Sequence, residues 1–130
     1  MKFLLDTHVF IWFIRGDDRL SPRVLDVLRN PEDEFLVSVV SMWEAIVKAR
    51  LGKLVLPTPY GPFLTDQREK HLLSSLPLDE SSLVPLDTLP HIHRDPFDRM
   101  LLCQAIHHDL TLITVDKVLA RYPVRVLLGS

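Results

Sequence analysis

Short apolar strands alternating with helices predict an α/β fold with a central, mainly parallel sheet covered on both faces. Three observations carry this expectation. Strand and helix signals alternate along the chain, which is the pattern of parallel sheets joined by crossover helices. The strand candidates at 2–5, 35–40 and 110–114 are nearly continuous apolar runs, as strands buried on both sides are. Finally, Asp6 and Asp116 lie just past strand ends, while Glu44 and Asp98 fall where helices begin. All four acids therefore belong to one end of one sheet, where open parallel sheets form their ligand crevices.

Each element has a local reason. Residues 2–5 form a short buried strand ending at Asp6. The apolar and aromatic run 9–14 follows as a helix, with Asp6 or Thr7 as its cap and Gly16 as its stop. Phe10, Trp12 and Phe13 cannot all face one core from one helix, so part of this surface is expected to meet another chain. Ser21-Pro22 starts a second helix running to about Arg29. After the Val-rich strand 35–40, Ser41-Met42-Trp43-Glu44 has the form of a capping box. The helix it opens ends at Leu51-Gly52. Met42, Ala45, Ile46 and Ala49 make its core stripe, and Trp43, Val47 and Leu51 make a second stripe for a partner.

A Pro-rich connector is expected over 54–62, a polar helix over 63–73, and a short edge strand over 76–78. A short helix over 79–86 leads to the loop 90–93. Asp95-Pro96 then caps and starts the most apolar helix candidate, which runs to about His108. A strand over 110–114, a short helix around 117–120 and a strand over 124–128 close the chain.

The 130 residues, 47% hydrophobic and 25% charged, suit one soluble globular domain spanning 1–130 with a core of its own. No apolar run reaches the ~18 residues of a membrane span, and the first residues do not read as a signal peptide. The lone Cys103 amid apolar neighbours suggests a reducing cytoplasm. A net charge of −2 gives no global field for a polyanion, so such a partner must be met by a local basic patch or a metal ion.

Four carboxylates gathered at one place raise one another's pKa, and a divalent cation between them relieves that repulsion. Oxygen ligands without Cys and with no obligatory His suit Mg2+ or Mn2+. Such ions bind phosphodiester oxygens, lower the pKa of an attacking water and stabilise a leaving oxygen. Asp6 and Asp98 are the choice for direct ligands, with Asp116 and Glu44 completing the shell or orienting water. Thr7 and Thr114 are placed to support those carboxylates by hydrogen bonds. Arg94, Arg99 and Lys117 are candidates to hold flanking phosphates, although solvated surface charge explains each equally well.

These residues resemble a PIN domain, and specifically a VapC-type toxin ribonuclease of a bacterial toxin–antitoxin pair. The likeness runs nearly end to end. It comprises Leu-Leu-Asp-Thr-His-x-x-x-Trp, Ser-x-Trp-Glu-x-x-x-Lys-x-x-x-Gly-Lys-Leu, His-x-Asp-Pro-Phe-Asp-Arg-Met-Leu and Leu-Ile-Thr-x-Asp, in that order. The resemblance implies a three-layer α/β/α sandwich, Mg2+-dependent cleavage of RNA, a homodimer and inhibition by a cognate antitoxin. It places the family's acidic quartet on Asp6, Glu44, Asp98 and Asp116, and leaves Asp95 outside as a cap. The Trp12 and Trp43 surfaces suit an amphipathic antitoxin segment, or equally burial in a dimer.

Three other readings compete. The same fold can bind RNA or a protein without cutting it. His91-x-His93 and the adjacent His107-His108 suggest a Zn2+ hydrolase, yet nothing else organises around the first pair, and adjacent histidines at a helix end are expected to point apart. A phosphoryl-accepting receiver domain needs paired acids after its first strand, and Asp6-Thr7 lacks the pair.

Overall fold

The computed structural model describes residues 1–129. Five strands, β1 (Lys2–Leu5), β2 (Glu34–Ser38), β3 (Ser74–Leu76), β4 (Thr111–Thr114) and β5 (Val126–Leu128), form one sheet in the order β3-β2-β1-β4-β5. Every pairing is parallel, with Leu5 opposite both Val37 and Ile113. Five α-helices accompany it: α1 (Thr7–Arg15), α2 (Pro22–Leu28), α3 (Val39–Arg50), α4 (Tyr60–Lys70) and α5 (Pro96–His107). Two 3-10 segments, Glu80–Asp87 and Lys117–Arg121, fill the longer connections.

Both faces of the sheet are buried, which is why its strands read as unbroken apolar runs. Phe3, Leu5, Phe35, Val37 and Ile113 pack with Val9, Phe10, Val24, Leu28 and Leu64 from α1, α2 and α4. Leu4, Leu36 and Leu112 pack on the other side with Leu101, Leu102 and Ala105 of α5. The result is a three-layer α/β/α sandwich. Successive strands build outward from β1 through β2 to β3, and the chain then returns to place β4 on the other side of β1. The strand order therefore reverses between β1 and β4, and the crevice belongs at the carboxyl ends of these two strands.

Several boundaries differ from those expected. β2 stops at Ser38, whose hydroxyl accepts the Val40 N–H at 3.0 Å and so caps α3. Val39 and Val40 are helical although their β-branched side chains continue the strand pattern. Ser41 is consequently not a cap, and Glu44 lies in the second turn of α3 rather than the first. Helix α4 starts at Tyr60, because Pro62 is tolerated in a first turn, and the edge strand β3 lies two residues earlier than expected. Gly16 does terminate α1, in the left-handed conformation at φ +64°.

The displaced cap leaves a mark. The Ser41 hydroxyl is fully buried and has no hydrogen-bond partner among the described residues. A buried unpaired hydroxyl is costly and Ala is the better helix former, so Ser41→Ala is expected to stabilise the fold by about 1 kcal/mol. Urea unfolding measures this directly, and a loss of stability would show that the hydroxyl is satisfied in solution.

Candidate functional site

Asp6 sits where β1 becomes α1, and the junction fixes it three ways. Its backbone N–H donates to the Ile113 carbonyl of β4 at 2.9 Å. One carboxylate oxygen accepts the Val9 N–H at 2.8 Å, capping α1. The other accepts the hydroxyl of Thr114, the last residue of β4. The carboxylate is 3% exposed. Burial raises its pKa, the bonds from Thr114 and Val9 and the nearby His8 oppose that rise, and Glu44 adds to it.

Glu44 is also buried, in the second turn of α3. Its Oε1 accepts the Thr7 hydroxyl, and its Oε2 pairs with Lys48 Nζ at 2.6 Å, one turn on. Burial works against the Lys48 charge, but the Glu44 bond and attraction to Glu44, Asp95 and Asp98 outweigh it and raise the ammonium pKa. Threonines thus brace both buried acids.

Asp95 caps α5 by accepting the N–H groups of Phe97 and Asp98 at 2.8 and 3.2 Å. Asp98 follows within the first turn. Its carboxyl is pushed up to about 7, by burial first and then by repulsion from Asp95, Glu44 and Asp6, with His93 opposing. The rise thus reflects burial first and the neighbouring carboxylates second. Asp116, past the end of β4, caps the Lys117–Arg121 segment through Oδ1, which accepts the Val118 N–H at 2.9 Å. Its Oδ2 faces the same gap as Asp98. The ligand atoms offered by His93, Asp98 and Asp116 lie within 4.8 Å of one another. The Asp98 and Asp116 carboxylate oxygens, partly exposed, suit a hard divalent cation, with His93 beside them as a partner of the carboxylates and not as a ligand.

A sequence model of the PIN domain matches residues 3–124. The chain belongs to the PIN domain family. It is 29% identical over 115 residues to the Mycobacterium tuberculosis protein named ribonuclease VapC22, covering 88% of this chain and 86% of that one. The Rickettsia felis VapBC2 structure, bound to a DNA fragment from its promoter, superposes with a TM-score of 0.74 at 13% identity, covering all of both chains. DNA-bound VapBC from Salmonella typhimurium gives 0.64 at 19%, covering 98% of this chain and 97% of that one. At such identities these structures establish the PIN fold.

Within this PIN fold, one histidine of the His91-x-His93 pair, around which nothing else was expected to organise, joins the acids. His93 Nδ1 accepts the Asp95 N–H at 3.1 Å, so the ring proton is on Nε2. Nε2–H then points between Asp116 Oδ2 at 3.1 Å and Asp98 Oδ2 at 3.3 Å. The Tyr122 hydroxyl accepts the Ile92 and His93 N–H groups at 3.1 and 2.6 Å and holds the loop in place. The legible signal was the His-x-Asp spacing before Pro96, because His93 closes a turn onto the second N–H ahead as an Asn or Asp side chain does. His91 is exposed and joins no such cluster among the described residues.

The expected phosphate-binding cations are differently placed. Arg99 Nη1 donates to the Pro90 carbonyl at 2.9 Å and the His93 carbonyl at 3.4 Å, so it braces the loop. Arg94 and Lys117 are exposed and form no ion pair among the described residues. A cleft of about 400 Å³ opens beside Thr7 and Lys48, lined also by Ile11, Trp12, Leu54 and Lys53.

Proposed function

We propose that this chain is a metal-dependent endoribonuclease, the toxin of a toxin–antitoxin pair. One observation carries the reading: at the switch point of a parallel sheet Asp98 and Asp116 offer ligand atoms within 4.8 Å of each other, and burial together with the nearby Asp95, Glu44 and Asp6 raises the Asp98 pKa to about 7. The name of the VapC22 relative supports the activity, and the VapBC structures support an antitoxin partner.

In this reading Asp6 and Asp98 present oxygens to Mg2+ or Mn2+, and Asp116 and Glu44 complete the shell. A bound cation supplies an activated water and charge stabilisation at the phosphodiester. Thr7 and Thr114 fix the two buried carboxylates, so their oxygens need not reorganise during the reaction. His93 Nε2–H holds Asp98 and Asp116 at a set spacing. Lys48 offsets the charge of Glu44 inside the site, while the exposed Arg94 and Lys117 are the residues we assign to flanking phosphates. Arg99 acts on RNA indirectly, by bracing the loop that carries His93.

The Trp12 cleft, apolar with cationic edges, is the seat we assign to an amphipathic antitoxin segment. Trp43 is 58% exposed and meets Phe97 edge-on at 4.7 Å, and Val39 on the same helix and Leu51 just past its end are also exposed. We assign that surface to a second copy of the chain. A reducing cytoplasmic setting suits the buried free Cys103.

The purified protein, incubated with a mixed single-stranded RNA pool, is expected to cut it in Mg2+ or Mn2+ and to stop in EDTA. Cutting that persists in EDTA would overturn the mechanism. Metal-dependent RNA retention without cutting would make the chain a binding module.

A further inference from the structure

The adjacent histidines at the end of α5 are not absorbed by the nuclease reading, and they do not point apart. His108 has left the helix as its C-cap, which brings the two rings to 4.8 Å between centroids, edge to face. The turn before the Glu80–Asp87 segment adds a carboxylate. One ligand atom from each of Asp79, His107 and His108 lies within 4.8 Å of the others. We propose that these three side chains form a second metal site, for a borderline transition cation such as Zn2+.

Three features favour a built site over chance proximity. Asp79 Oδ1 is occupied, accepting the Ser82 N–H at 3.0 Å and the hydroxyls of Ser82 and Ser81 at 2.6 and 3.1 Å. Those bonds fix the carboxylate and leave Oδ2 turned toward His108 Nε2, 3.6 Å away. That separation approaches the ~3.3 Å edge of a tetrahedron with metal–ligand bonds of about 2.0 Å. Ser81 Oγ also lies 3.0 Å from His107 Nε2, and Ser82 Oγ lies 3.5 Å from His108 Nε2; both hydroxyls give their protons to Asp79, so without a cation the rings donate to them, and a bound cation would take the place of those ring protons. The site also stands at the carbonyl end of a 12-residue helix, where the macrodipole favours a cation.

The ligand chemistry sets the selectivity. Two imidazoles and one carboxylate suit Zn2+ and disfavour Mg2+, which is the reverse of the acidic cluster. A water takes the open fourth position. The two sites are also distinct in space. Asp98 and His107 are nine residues apart on α5, or about 14 Å at 1.5 Å per residue. A cation here fastens the Glu80–Asp87 segment, with its exposed Leu83 and Val84, to the end of α5.

The test is Zn2+ titration of tag-free full-length protein in excess Mg2+, followed by calorimetry and by the imidazole resonances in nuclear magnetic resonance spectra. Wild type and Asp98→Asn are expected to bind one Zn2+ alike, with the His107 and His108 ring signals moving. His108→Ala and Asp79→Asn, both surface changes, are expected to weaken binding at least ten-fold. Failure of the wild type to bind, equal binding by the two surface variants, or loss confined to Asp98→Asn would each overturn the site.

Discussion

Asp98→Asn is expected to lose RNA cleavage by more than about 100-fold while making the protein more stable at pH 8. The first effect follows from removing a proposed cation ligand, since even the outer partners of metal ligands cost 10–100-fold. The second follows from burial of the carboxylate and, after that, from the crowding of acids. The folded protein holds the Asp98 carboxyl near 7 against an ordinary 3.8, so the folded state binds the proton more tightly. The associated stability is fully present below about pH 4 and is lost as pH rises toward 7. Asn carries no charge and escapes that loss. A shift of about 3 units corresponds to ~4 kcal/mol at most. Partial exposure and solvent screening lower the expected gain to about 1–3 kcal/mol. The opposing effect, loss of a favourable charge in a helix first turn, is worth only about 0.3–1 kcal/mol. Melting in EDTA across pH 4 to 8 should therefore show no difference at the acid end and a widening gap up to pH 7. A destabilised variant at pH 8 would mean that Asp98 is already compensated by neighbouring cations.

Thr114→Val is the second large effect, and here both stability and activity should fall. The Thr114 hydroxyl donates to the buried Asp6 carboxylate and accepts the Asp116 N–H at 3.1 Å. Valine keeps the shape and deletes both bonds. A hydrogen bond to a buried charge is worth about 1.5–3 kcal/mol, and with the second bond the expected loss is about 2–4 kcal/mol. That is a sizeable part of a typical 5–15 kcal/mol stability. The Asp6 carboxyl, already raised by burial, would rise further and hold a cation less well. Thr114→Ser retains the hydroxyl and should recover most of both properties. Near-wild-type urea unfolding and cleavage by the valine variant would remove Thr114 from the site.

The parts of the architecture written in local chemistry were legible in the sequence. Asp6, Ser21 and Asp95-Pro96 each announce a helix start, and the apolar strand runs announce a sheet buried on both faces. The end of β2 was not legible, because Val39 and Val40 suit a buried strand as well as a helix and periodicity cannot separate the two. What decides the matter is tertiary. The Ser38 hydroxyl caps α3 and also donates to the buried Gln104 of α5, which lies 66 positions further along. The same limit hid the partners of His93, which was named only as half of a histidine pair, since its role depends on Asp116 arriving from β4. The adjacency of Asp79 to His107 and His108 likewise required the fold, since no spacing along one helix encodes it. That Asp6, Asp98 and Asp116 lie at one end of the sheet was legible, because strand ends and helix starts meet there, whereas Glu44 sits in the second turn of α3 and not at its start.

In the proposed function the acidic side chains act together as one cation site, and calorimetric titration of Mn2+ into wild type, Asp98→Asn and Asp116→Asn reads this from binding alone. The structure predicts binding by the wild type and affinities at least ten-fold weaker in both variants, with the folds intact by circular dichroism. Equal affinity in all three proteins would contradict it.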